Sequence, residues 1–190
     1  MQVKLDPVFT GKTLAHLTYW LYPNRRECSY HFAIMNIVSL LSERRVLPDV
    51  DAGARDEVLK EMVDHLVATG GLSECSQGAV VEALIAREER ISTDIGYGVA
   101  IPHCYSDSLH DPVAVFGRSG SGVDFNACDS AAVHFIILLL VPENQPNSHL
   151  QTLAGIARLF SQHAVREKMS KAPTSSALLR ALEQCQLELD

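Results

Sequence analysis

Residues 131–141 constrain the fold more than any other part of the chain. All eleven are apolar except His134, and residues 133–141 are built almost wholly from Val, Ile, Leu and Phe. The run is too short to span a membrane, which takes roughly 18 or more apolar residues. A strand with one wet face alternates apolar and polar side chains, and this one does not. It suits a central strand covered on both faces. A chain of 190 residues can provide those covers within one domain, with a tail to spare.

The flanking sequence offers helices for the covers. Residues 56–68 place apolar side chains at 58, 59, 62, 63, 66 and 67, the spacing of an amphipathic helix. Thr69-Gly70-Gly71 ends it, with glycine where a left-handed cap is needed. Residues 76–87 repeat the pattern through Val80, Val81, Leu84 and Ile85, with Ser76 as the expected N-cap. Residues 37–41 form a short apolar run. Gly96-Tyr97-Gly98 is a turn before a short buried strand, 99–101, which Pro102 stops. Residues 112–116 read as a second strand and 117–122 as a flexible turn. Residues 142–147 are a loop. Ser148 caps a helix to about 162, 163–171 is a short helix, and Pro173-Thr174 opens a last one to about 184. Helices precede, separate and follow strands, so the expected class is α/β, a central sheet flanked by helices.

Composition removes several function classes. There are 16 Lys plus Arg against 23 Asp plus Glu, a formal net charge of −7, which disfavours nucleic acid because phosphate contacts need a basic face. The five cysteines, at 28, 75, 104, 128 and 185, are odd in number and lack C-x-x-C spacing. That argues against a disulfide scaffold or a zinc ribbon and for reduced thiols in a cytosol. The N-terminus carries no signal-peptide pattern, so a cytoplasmic location without membrane insertion is expected.

The first 34 residues differ from the rest. They hold six of the twelve aromatics, together with four basic and two acidic groups, which leaves 12 basic against 21 acidic residues, −9, for the remainder. Residues 13–22 fit a short helix. Met35 offers a second start, so 1–36 is expected to be an extension and 37–185 the domain.

Most motifs with known chemistry are missing. There is no phosphate-binding G-x-x-x-x-G-K-[ST] and no H-E-x-x-H. The glycines of 117–122 lack a following helix. His103 and His110 have no third ligand at workable spacing, so no metal is expected.

Three residues stand out. His103 follows Ile101-Pro102 where a buried strand meets a loop, and Pro102 keeps Ile101 extended, which would aim the ring. Imidazole, with an unperturbed pKa near ~6.5, is mostly neutral and nucleophilic at cytosolic pH. His149 falls in the first turn of a predicted helix, where backbone N–H groups and the dipole favour an anion. Arg87 lies at a helix end and could clamp a phosphoryl group with two hydrogen bonds. Taken singly, each is better explained as a surface or capping residue.

Resemblance binds them together. Arg87-Glu88-Glu89-Arg90-Ile91-Ser92-Thr93-Asp94-Ile95-Gly96-Tyr97-Gly98-Val99-Ala100-Ile101-Pro102-His103 resembles the signature of fructose/mannitol-type (type-2) enzyme IIA domains of the bacterial phosphoenolpyruvate-dependent phosphotransferase system. Val123-Asp124-Phe125, Leu138-Leu139-Leu140-Val141-Pro142-Glu143 and His149-Leu150-Gln151 extend the likeness, which runs from about 37 to about 182 and is strongest to the nitrogen-regulatory branch. The resemblance implies a mixed central sheet covered by helices. It also implies that His103 accepts a phosphoryl group. His149, 46 residues on, completes the site, and Arg87, 16 residues earlier, binds phosphate. The implied role is a phosphocarrier, not a stand-alone catalyst, with no cofactor. A histidine phosphocarrier protein would be the donor. Regulatory proteins such as potassium-transport or sensor-kinase components would be targets, and a homodimer stays open. Two alternatives are a sugar-specific component passing phosphate to a IIB permease domain, and an interaction module whose His103 is never phosphorylated.

Two positions depart from the family. Cys104 stands where glycine is usual. The plainer reading is a tolerated small side chain; against it stand a Cβ that could crowd a backbone needing glycine and a low-pKa thiol that could tie phosphorylation to redox state. Asp129-Ser130 replaces the usual Asp-Gly.

Overall fold

A computed structural model describes residues 36–126, 131–143 and 148–188, with the backbone alone for Ser148 and His149. The helix expected at 13–22, Cys28, Cys128 and the Asp129-Ser130 departure lie outside the described residues. In chain order the elements are α1 (Ile37–Leu40), a 3-10 turn (Glu43–Arg45), β1 (Val46–Leu47), α2 (Arg55–Ala68), α3 (Glu74–Arg90), β2 (Val99–Ala100), β3 (His103–Ser106), β4 (Val113–Val123), β5 (Val133–Pro142), α4 (Ser148–Phe160), α5 (His163–Lys171) and α6 (Ser175–Leu187).

The sheet runs β1-β4-β5-β2, with β3 also paired to β5. β4 and β5 are antiparallel and the other pairs parallel, so the sheet is mixed. The apolar run 133–141 is the central strand its composition demands. Its alternate side chains supply two separate cores. Phe135, Ile137, Leu139 and Val141 join Ile156, Leu159 and Phe160 of α4, Val165 and Met169 of α5, and Leu178 and Leu182 of α6. Phe116, Phe135 and Phe160 pack in this core with ring centroids 5.9–6.4 Å apart. Ile136, Leu138 and Leu140 join Val58, Leu59, Met62, Val63 and Leu66 of α2 with Val80 and Leu84 of α3. Each such side chain, fully buried, contributes about 1.5–3 kcal/mol. The outcome is helix, sheet and helix in three layers.

α2 ends as its sequence predicts. Gly70 takes φ +72°, and the N–H groups of Gly70 and Gly71 donate to the carbonyls of Val67 and Leu66 at 3.0 and 2.8 Å. Thr174 caps α6, its Oγ1 accepting from the Ala177 N–H at 3.2 Å.

Three expectations need correction. Ser76 is not the cap of α3. That helix starts earlier, at Glu74 with Ser73 as the N-cap residue, and Ser76 lies in its first turn, its N–H bonded to the Ser73 carbonyl. Residues 117–122 are not a turn but part of β4, which runs on past a register irregularity between Arg118 and Val123. Glycine is needed there for contact, not for reversal. A Cβ at Gly117 would lie 2.9 Å from Val50 Cγ2, and one at Gly122, where φ is +80°, would lie 2.7 Å from Ala132 Cβ. His103 does not enter a loop. It opens β3, and β2 and β3 share one offset against β5: Val99 faces Phe135 and His103 faces Leu139. Pro102 cannot donate to the ladder, so the strand is interrupted there, but the register continues unchanged across it. Its carbonyl still accepts from the Leu139 N–H at 2.9 Å.

Candidate functional site

His103 lies in the edge lane of the sheet, half-buried, on strand β3. Its register partner Leu139 belongs to the core beneath α4, so His103 stands on the α4 face. Its ring Nδ1 lies 2.9 Å from the Ile101 carbonyl oxygen. A carbonyl only accepts, so Nδ1 carries the proton and donates. In the neutral ring the lone pair then sits on Nε2. Sequence supplied this acceptor through Pro102, which holds Ile101 extended two residues before the ring.

Behind the histidine, residues 93–95 run along the outer side of β2. The Ile101 N–H donates to the Thr93 carbonyl at 3.1 Å, and the Ile95 N–H to the Val99 carbonyl at 2.9 Å. Thr93 is held in turn by Glu88. One Glu88 carboxylate oxygen accepts the Thr93 N–H at 2.6 Å and the other accepts the Thr93 hydroxyl at 2.7 Å. Glu88 is 2% exposed. Arg55 lies close enough to be attracted by Glu88. Its guanidinium is held above its ordinary pKa, chiefly by its hydrogen bond to Asp56, with added attraction from Glu88 and Glu89. Sequence reasoning passed over Glu88, though a signal existed: it falls four residues after Leu84, on the apolar stripe of α3.

Arg87 sits beside Glu88 in the last turns of α3, half-buried, and its Nη1 donates to the Ile91 carbonyl at 2.8 Å. That bond is the end-of-helix role a cation plays without any ligand. α3 packs against β3 from the opposite face to α4. His149 lies in the first turn of α4, which covers the His103 face. The fold therefore brings α4 and α3 to the strand of His103 from its two sides. Two exposed apolar side chains belong to these segments: Ile91, 73% exposed, and Leu150, 60% exposed.

Cys104 fits the reading of a tolerated small side chain, and neither the crowding nor the reactive thiol is found. Its backbone is ordinary strand, paired with Leu140, and its side chain is buried in the core under α2 and α3, 7% exposed. Burial pushes its thiol up to about 12, the opposite of a reactive cysteine. Strand alternation explains this, since His103 and Cys104 must point to opposite faces. Tyr97 is a second feature that the sequence left unread. It takes φ +62° between two left-handed glycines, Gly96 and Gly98, and the Arg166 guanidinium lies 4.7 Å from its ring centroid.

No helix among the described residues is long and apolar enough to cross a membrane. No group of three or more His, Cys, Asp or Glu side chains among the described residues is placed to hold a metal.

Comparison with known proteins places the fold and motifs. The nitrogen regulatory protein of Pseudomonas aeruginosa is 36% identical over 145 residues, covering 76% of this chain and 93% of that protein. The fructose-specific EIIABC component of the Bacillus subtilis phosphotransferase system is 31% identical over 150 residues, and there the chain spans only 23% of the relative's length. The crystal structure of nitrogen regulatory protein IIA-Ntr from Neisseria meningitidis superposes with a TM-score of 0.70 at 32% identity, over 77% of this chain and 98% of that one. Residues 39–185 match the family described as "Phosphoenolpyruvate-dependent sugar phosphotransferase system, EIIA 2", and the chain belongs to that family.

Proposed function

We propose that this protein is a phosphohistidine carrier of the nitrogen-regulatory type, taking a phosphoryl group on His103 from a histidine phosphocarrier protein and signalling through its phosphorylation state. One observation carries the reading: the Nδ1–H bond to Ile101 leaves the Nε2 lone pair as the nucleophile in a ring aimed by the sheet. In the transfer, Nε2 attacks phosphorus. The Nε2–P bond forms, the N–P bond to the donor's histidine breaks, and the donor's imidazole keeps the electron pair. The protein's work is positioning and charge stabilisation. Arg87 and His149 are assigned to the phosphoryl oxygens, with the N-terminus of α4 adding favourable dipole. Exposed Ile91 and Leu150 are assigned to contact with the docked donor. The acquired charge, about −1.5 to −2 by analogy with other phosphorylated side chains, is what a regulatory target would read.

The test is incubation with phosphoenolpyruvate, the upstream enzyme and the phosphocarrier, followed by mass spectrometry. Acid-labile phosphate is expected on His103 and absent from His103→Ala. A wild-type protein that takes no phosphate would sink the reading. The likeness to a fructose-specific EIIABC component supports a second reading, in which phospho-His103 passes its group to a sugar-specific IIB domain. Transfer to such a domain at a rate rivalling return to the phosphocarrier would favour it.

A further inference from the structure

We propose that Glu88 is the positioning residue of the phosphoacceptor, acting through Thr93 and Ile101 to fix the tautomer and aim of His103. The proposal rests on the reading of His103 as acceptor. Four hydrogen bonds make the connection. The two Glu88 oxygens hold the N–H and hydroxyl of Thr93 at 2.6 and 2.7 Å. The Thr93 carbonyl holds the Ile101 N–H at 3.1 Å, and the Ile101 carbonyl holds His103 Nδ1 at 2.9 Å.

Each link removes a freedom that the next one needs. Leu84, one turn before Glu88 on the same stripe, is 1% exposed, so this part of α3 is anchored in the core. Glu88 meets both donors of Thr93 at once, which fixes that residue in position and rotation. Thr93 then sets where the edge lane lies at Ile101. Pro102 fixes its own φ and keeps Ile101 extended, so the Ile101 carbonyl has little room to turn away. That carbonyl belongs to a tertiary amide and carries no competing N–H. The histidine it holds has one tautomer to choose. A carboxylate or water in that place could accept or donate according to protonation; a carbonyl cannot.

A loop-capping role alone would also bury Glu88, so the test reads the ring itself. Nitrogen-15 spectra of His103 report which ring nitrogen carries the proton. Phosphoramidate, a small chemical donor, reports nucleophilicity without docking: Nε2–P forms, the P–N bond of the donor breaks, and ammonia leaves. In the wild type the Nδ1–H form is expected to dominate. In Glu88→Ala the Nε2–H share is expected to rise, with phosphorylation by phosphoramidate and by the phosphocarrier slowed about 10- to 100-fold, the scale of small misplacements of a reacting group. Glu88→Gln can still accept from the Thr93 N–H and donate to its hydroxyl, and is expected to keep the tautomer and to stay within about threefold of the wild-type rate on the same geometric argument. Thr93→Val loses the hydroxyl donor alone and is expected to fall between them, and it decides the matter if Glu88→Ala does not fold. A wild-type tautomer and rate in folded Glu88→Ala, or in Thr93→Val in its absence, would overturn the proposal. If the wild type takes phosphate from neither donor, the acceptor reading fails, while the tautomer still decides whether Glu88 orients the ring.

Discussion

At the scale of single residues, His103 and Cys104 show how one step along a strand divides a half-buried candidate acceptor from a core side chain. The imidazole stands on the α4 face and the thiol is buried under α2 and α3. The consequence for Cys104 can be measured. Its pKa is raised from about 9 to about 12 by burial. A raised folded-state pKa means that the stability is complete below the unfolded pKa and lost as pH climbs toward the folded one. Between about pH 9 and 12 the wild type should therefore lose up to about 1.4 kcal/mol per pH unit from this group. Urea midpoints of wild type and Cys104→Ala should converge over that window and run parallel below it. Thiol labelling at pH 8, mapped by mass spectrometry, should modify exposed Cys75 and spare Cys104. Labelling of both at similar rates would contradict the burial. Whether Ile91 and Leu150 meet the donor is a separate question at this scale. Changing either to Asp should raise the KM for the phosphocarrier several-fold, while phosphoramidate labelling and the urea midpoint stay put.

At the scale of elements, β4 carries the clearest departures from regular geometry. Gly122 combines φ +80° with a Cβ position 2.7 Å from Ala132 Cβ. Gly122→Ala should cost at least about 2 kcal/mol, from left-handed strain plus overpacking, read as a lower urea midpoint at unchanged slope. Arg118, from the same strand, donates through Nη1 to the carbonyls of Met169, Ser170 and Ala172 at 3.1, 3.4 and 2.6 Å, closing the C-terminal end of α5. Arg118→Ala should cost about 1.5–3 kcal/mol, the usual range for hydrogen bonds from a charged donor. These features also mark what was legible in advance. The helices of 56–68 and 163–171 and the central strand follow from spacing and composition, which are local. The β4 extension does not, because the glycines of 117–122 answer to Val50, Met62, Ala132 and His134, residues distant in sequence. The site divides the same way. Arg87, His103 and His149 stand out through an ordered motif. Glu88 and Thr93 lie in the same motif, and the place of Glu88 on the apolar stripe hints at its burial, but their pairing emerges only once the helix is packed.

At the scale of the whole molecule, the two cores formed by the described residues are separate clusters on the two faces of the sheet. Leu138 and Leu139 are adjacent, yet each fills a different layer. Truncating either to Ala should cost about 2–5 kcal/mol. Only Leu139 faces His103 in register. Leu139→Ala should therefore slow phosphorylation as well as lower stability, and Leu138→Ala should mainly lower stability. Equal slowing in both, measured well below their midpoints, would mean that the site senses the sheet as a whole and not its near face.

The segment 93–95 has one more consequence, outside chemistry altogether. Its bonds to β2 occupy the outer margin of the sheet, with Asp94 bridged antiparallel to Ala100. An unguarded margin of that kind is a template on which another chain can add a strand. That margin would be expected to be uncovered on loosening the grip of Glu88 on Thr93. Variants that lose it should turn cloudy with time and concentration even where most molecules stay folded, and Pro102, which cannot donate to an incoming strand, would be the remaining barrier.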